Sequence, residues 1–147
     1  MSLDFTKDAA TGNEMLNMLA EEMKISADKA GRILRAVLFA LRSRISIDES
    51  LQIVAQLPLV LKGVYVDEWD PWHSFHRIHR VEEFITDLRR HDKTDAADLV
   101  DDQWAMRAVK TVFRTLSYTL SDQEFRNIIS VLPHGLKEFV TRMPITG

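Results

Sequence analysis

The chain of 147 residues has no cysteine, and it has only five glycines and four prolines. Without thiols there are no disulfides, no thiolate metal sites and no cysteine nucleophile. Few glycines and prolines leave few places to break a helix. Basic charge is not in excess either: 19 Lys and Arg stand against 22 Asp and Glu, a formal net charge of −3. Nucleic-acid binders draw affinity from neutralising phosphate, so nucleic acid is a disfavoured partner. No apolar run approaches the ~18 residues of a membrane helix, so no membrane association is expected. The opening stretch MSLDFTKDAATGNEM holds no apolar segment of the kind that begins a secretory leader.

What is present is a globular composition, 46% hydrophobic and 28% charged. Such a chain has neither the low hydrophobicity nor the high net charge of a disordered one. Its length suits one domain, 1–147, able to bury a self-sufficient core. Breaks are expected near Gly12, Ser26, Ser46, Pro58, Pro71, Thr94, Ser121 and Pro133. Between them apolar residues recur at steps of three and four, the helix period, and no stretch shows sustained strand alternation.

Residues 27–45 are the clearest helix. At about 100° per residue, Ala30, Ile33, Leu34, Val37, Leu38, Leu41 and Ile45 fall on one stripe, with Lys29, Arg32, Arg35, Arg42 and Ser43 opposite. Ser46-Ile-Asp-Glu49 then reads as a capping box, with hydroxyl and carboxylate each satisfying the other's backbone N–H. A second helix is expected over about 47–56, and Leu57-Pro58 starts a short third one running to about Val66.

The same order returns 75 residues later. Ser121-Asp-Gln-Glu124 is a second capping box and Leu132-Pro133 a second break. Aligned without gaps, 30–64 and 105–139 share eleven identities in 35 columns, among them Ala30/Ala105, Arg32/Arg107, Val37/Val112, Leu41/Leu116, Ile53/Ile128 and Lys62/Lys137. Roughly two are expected from ordinary residue usage. An earlier helix is also repeated, Glu14, Leu16 and Leu19 matching Glu83, Ile85 and Leu88. The expected fold is therefore all-α: a bundle of about eight helices, made from two tandem four-helix units related by a pseudo-twofold axis. Repeat one covers about 13–66, a linker about 67–79, and repeat two about 80–142.

Arg35-Ala-Val-Leu-Phe-Ala-Leu-Arg42, Gln56-Leu-Pro-Leu59 with Leu61, Gly63 and Tyr65, Trp69-Asp-Pro71, and Arg80 with Glu83 and Phe84 together resemble a prokaryotic family known as domain of unknown function 2267. The resemblance spans about residues 14–140. It implies a bacterial, cytoplasmic helical protein, and it carries no established activity, substrate or cofactor. His73, His76 and His79 stand where that family does not typically place histidine.

The segment 65–84 concentrates the residues with chemical potential. Tyr65, Trp69 and Trp72, with Phe75, either pin the linker to the core or line a groove for a ligand or partner. His73, His76 and His79 recur every three residues at the expected start of a helix. They read as exposed histidines, or as ligands for zinc or another divalent ion completed by Asp67 or Asp70. Arg32 and Arg35 match Arg107 and Lys110 as basic faces of the long helices, either solvated or facing phosphate. Phe39 lies on the polar side of its helix, a mark of contact with the other repeat or with a second subunit. No nucleophile elbow, phosphate loop or metalloprotease motif occurs, and adjacent acid pairs on a helix point apart. The expected function is a non-enzymatic interaction or ligand-binding module with a protein partner or a homo-oligomer. The alternative is an enzyme or sensor using a metal or small ligand at the histidines; no other cofactor is expected.

Overall fold

The computed structural model describes residues 5–72, 75–91 and 101–142. Among them are eight α-helices and no strand: α1 (Phe5–Met23), α2 (Ala27–Arg42), α3 (Ile47–Gln56), α4 (Leu59–Val66), α5 (Val81–His91), α6 (Asp102–Thr119), α7 (Asp122–Ile129) and α8 (His134–Thr141). None is long and apolar enough to cross a membrane.

The local signals act as their chemistry dictates. Ser26 caps α2, its hydroxyl accepting from Lys29 N at 3.1 Å. At Ser46 and Ser121 both halves of each capping box form, with Ser46 N donating to Glu49 Oε1 and Ser121 N to Glu124 Oε1, each at 2.9 Å. Those bonds hold the Glu124 carboxyl below its ordinary pKa. Pro58 and Pro133 stand at the N-caps of α4 and α8, where a missing N–H costs nothing.

The break expected near Gly12 does not occur. α1 begins at Phe5 and passes through Gly12, which is buried against α4 with Val60 Cβ and Cγ1 3.4 Å from the position its own Cβ would occupy. α1 ends instead at Lys24, whose left-handed backbone (φ 58°) lets Ile25 N reach Ala20 O at 2.9 Å. That six-to-one closure is a Schellman motif.

α2 and α6 form the centre. The whole stripe expected on α2 is buried, and Ala36 and Ala40 are buried as well, because α2 touches α1, α4, α5 and α6 rather than one neighbour. On α6 the matching positions are Thr111 and Thr115. Their hydroxyls are satisfied inside the helix, donating to Arg107 O and Thr111 O at 2.8 Å, so burial leaves no polar group stranded. α1 packs on α2 and α6, and α5 packs on α6 and α2. α4 lies against α1, α2 and α3, while α8 lies against α5 and α6. α3 meets α7 along a polar seam where Gln52 Nε2 donates to Asn127 O at 3.3 Å.

Candidate functional site

The chain between α4 and α5 is held by arginines more than by aromatics. Arg42 donates to Tyr65 O at 2.7 Å and Asp67 O at 2.6 Å, capping the end of α4. Those carbonyls carry the negative end of the helix dipole, which suits a guanidinium. Burial lowers the Arg42 pKa from its usual value, yet arginine stays charged. Arg44 donates to His76 O at 3.0 Å and pairs with the buried Asp87 of α5. That hydrogen bond raises the Arg44 pKa. Arg77 reaches Glu49 of the first capping box. Ile78 is the apolar anchor, 1% exposed. Neither Arg44 nor Ile78 stands out in the sequence, because their partners lie 43 residues away in one case and are distributed through the core in the other.

The four aromatics separate into two classes. Tyr65 is fully buried, so it is not part of a docking surface as the sequence suggested: it sits on the inward stripe of α4, and its hydroxyl meets Ser50 Oγ at 2.7 Å. Trp69 is half-buried and packs edge-on to Tyr65, centroids 6.0 Å apart. Its indole N–H is buried with no hydrogen-bond partner among the described residues. Trp72 is 85% exposed, so it does not pin the linker, and Phe75 is 37% exposed. With Pro71 they flank a shallow cavity of about 460 Å³ against Ile45, Ser46, Ile47 and Asp48. Asp70 turns the chain there, accepting from Trp72 N at 3.0 Å.

Burial pushes the Tyr65 pKa upward, outweighing the hydrogen bond from Ser50. The unfolded chain ionises this phenol near its ordinary value of 10.0. Stability from neutral Tyr65 is thus complete below about pH 10 and is lost as pH climbs towards the folded value. Tyr65→Phe is expected to cost about 1 kcal/mol at neutral pH, since Ser50 loses its partner. It should also flatten the fall of stability above pH 10. Equal alkaline slopes for the two proteins in denaturant titrations would contradict this account.

The histidines do not start a helix: 75–80 is irregular and α5 begins at Val81. His76 and His79 are exposed, and His73 lies outside the described residues. Among the described residues no group of three or more His, Asp or Glu side chains is arranged to hold a metal ion.

The basic faces are engaged with the protein itself. Arg35 Nη2 lies 2.9 Å from Asp67 Oδ2, Arg107 Nη2 donates to Glu22 O at 3.2 Å, and Lys110 Nζ stands 4.8 Å from the Phe139 ring centroid. Arg32 is exposed on α2. Phe39 is half-buried between the guanidiniums of Arg35 and Arg42 of its own helix, at 4.6 and 3.8 Å.

One opening escaped the sequence. A groove of about 280 Å³ lies between α1, α2 and α4, lined by Leu16, Leu34, Leu61 and Val64 together with Gly12, Gly31 and Arg35. Its residues come from three separate segments, and glycine and valine signal nothing in isolation.

No curated protein matches the chain. A family model described as "Uncharacterized conserved protein (DUF2267)" matches residues 12–139, from the third turn of α1 into α8. The protein is a member of this DUF2267 family.

Proposed function

We propose that the protein is a non-enzymatic interaction module of the bacterial cytoplasm, made of two copies of one four-helix unit, whose linker docks a protein partner. The copies span about 13–66 and 80–142, with the linker about 67–79 between them and a pseudo-twofold axis relating them. Support for duplication comes from how contacts pair. Exchanging α1 with α5 and α2 with α6 turns the α1–α6 packing into the α5–α2 packing, and both occur. The same exchange maps the α3–α7 seam onto itself, and Gln52 and Asn127, which meet there, are equivalent positions in the 75-residue alignment. The lead and fourth helices also carry a reciprocal size change: Gly12 accepts Val60, while at the matching positions Val81 lies against Gly135.

The observation that carries the docking reading is Trp72. An indole left 85% in water beside Phe75 and Pro71 is unusual cost without benefit in an isolated monomer. Trp is among the residue types enriched at the centres of protein interfaces. Asp48 lines the same cavity, and Asp67, Glu68 and Asp70 precede it in the chain. The surface therefore suits a partner segment that combines an apolar residue with Lys or Arg, whose cations also favour an indole face. Trp72→Ala is expected to leave unfolding free energy within about 0.5 kcal/mol. It should abolish retention of the partner that wild type captures in affinity purification from its native cell, and salt should weaken that retention. A partner held equally by Trp72→Ala would refute the linker as the docking surface.

A further inference from the structure

We infer that the groove between α1, α2 and α4 binds a small aromatic carboxylate, with the ring between Gly31 and Val64 and the carboxylate on Arg35. The inference rests on the duplication proposed above, because the second unit serves as an internal comparison. There the corresponding cleft, between α5, α6 and α8, is lined by Val81, Lys110, Gly135, Glu138, Phe139 and Arg142. Three positions around the first groove have larger counterparts in the second: Gly31 becomes Met106 and Val64 becomes Phe139, while Gly12 becomes Val81 in the exchange that Val60 and Gly135 offset. All three larger side chains are partly buried against the core. An opening of about 250 Å³ persists beside Val81 and Phe139, and it carries the charged side chains of Lys110, Glu138 and Arg142. In the second unit, then, an aromatic ring and a cation belong to the protein itself, with Lys110 Nζ 4.8 Å from the Phe139 centroid.

The first unit has the cation but no ring among the groove's lining residues; the ring that Arg35 faces, Phe39 at 4.6 Å, is not one of them. Arg35 occupies the position of Lys110, and Val64 that of Phe139. The walls are apolar apart from Asn13 and Arg35, and about 280 Å³ is space for one or two fused rings. A Cβ on Gly31 would meet only Leu16 Cδ2, at 3.9 Å, so its absence is not required by packing. Arg35 makes a single 2.9 Å hydrogen bond to Asp67, and both side chains are about half exposed, 46% and 50%. Such a pair contributes little, and a guanidinium has a second edge for a bidentate carboxylate.

The test is a titration of the full chain with 2-naphthoate, followed through backbone amide shifts. Saturable shifts at Gly12, Gly31 and Val64 are expected. Val64→Phe, which installs the ring found in the second unit, should weaken binding at least tenfold with little change in unfolding midpoint. Arg35→Gln should weaken naphthoate several-fold and leave 2-naphthylmethanol unchanged. Absence of saturable shifts in wild type, shifts confined to Trp72 and Phe75, or undiminished binding by a folded Val64→Phe would each overturn the proposal. If Val64→Phe does not fold, the equivalence of the two units fails at that position. Gly31→Met then blocks the same groove independently, and full-strength binding by that variant overturns the ligand site.

Discussion

Gly135→Ala should destabilise the protein by about 2–3 kcal/mol. α8 crosses the entry to α5 so closely that a Cβ on Gly135 would stand 2.5 Å from His79 O, 2.9 Å from Arg80 Cα and 3.0 Å from Val81 N. All three are backbone atoms, so no side chain can swing aside, and the two helices must separate. Alanine's helix preference returns less than about 1 kcal/mol, which does not offset that displacement. Gly63 is the control: it is exposed within α4 and nothing lies within 4 Å of its missing Cβ. Gly63→Ala should therefore gain about 0.5–1 kcal/mol. Urea unfolding of both variants checks the pair. Similar shifts of the same sign would show that the close approach of α8 to α5 is not what fixes Gly135.

Arg44→Ala should cost about 3 kcal/mol, the effect of leaving a buried carboxylate without its main partner. The Asp87 side chain is only 7% exposed. Arg44 grips it with two nitrogens, Nε to Oδ2 and Nη2 to Oδ1, the latter at 2.9 Å. The remaining cation, Arg90, stands 3.7 Å away and is mostly solvated. Arg44 also donates to His76 O, so the same substitution loosens the linker from the end of α2. Arg44→Lys should recover only part of the loss, since an ammonium cannot reproduce the planar two-point grip. Arg44→Met combined with Asp87→Leu should recover more than half, because no charge is then left buried. An Arg44→Ala protein within about 0.5 kcal/mol of wild type would show that Asp87 finds water instead.

Legibility followed the range of the interactions. Ser46 with Glu49, Ser121 with Glu124, and the Leu-Pro junctions at 57–58 and 132–133 act across three or four residues. α3 and α4 accordingly run over the residues expected, Ile47–Gln56 and Leu59–Val66. Gly12 was misleading for the opposite reason. Its place inside α1 is fixed by Val60, 48 positions along the chain, and glycine's local tendency to break a helix yields to that packing. For Tyr65 the sequence left both core and groove open, because an aromatic next to a Trp-x-Pro segment suits either. It is the inward face of a two-turn helix whose register only Ser50 and the core reveal. The basic residues looked free to meet phosphate, yet Asp67, Glu22 and Phe139 come to Arg35, Arg107 and Lys110 from other elements.

The sequence by itself determined that this chain is helical, where five of the eight described helices begin through Ser26, Ser46, Pro58, Ser121 and Pro133, and which stripes of α2 and α6 turn inward. Caps and period depend on neighbours within one or two turns, so they are written where they act. Only the tertiary structure decided that Trp72 stays in water while Tyr65 does not, that Arg44 closes on Asp87, and that a groove opens between α1, α2 and α4. Burial, ion pairing and cavities belong to surfaces contributed by several helices at once, and no single segment contains the information that brings those surfaces together.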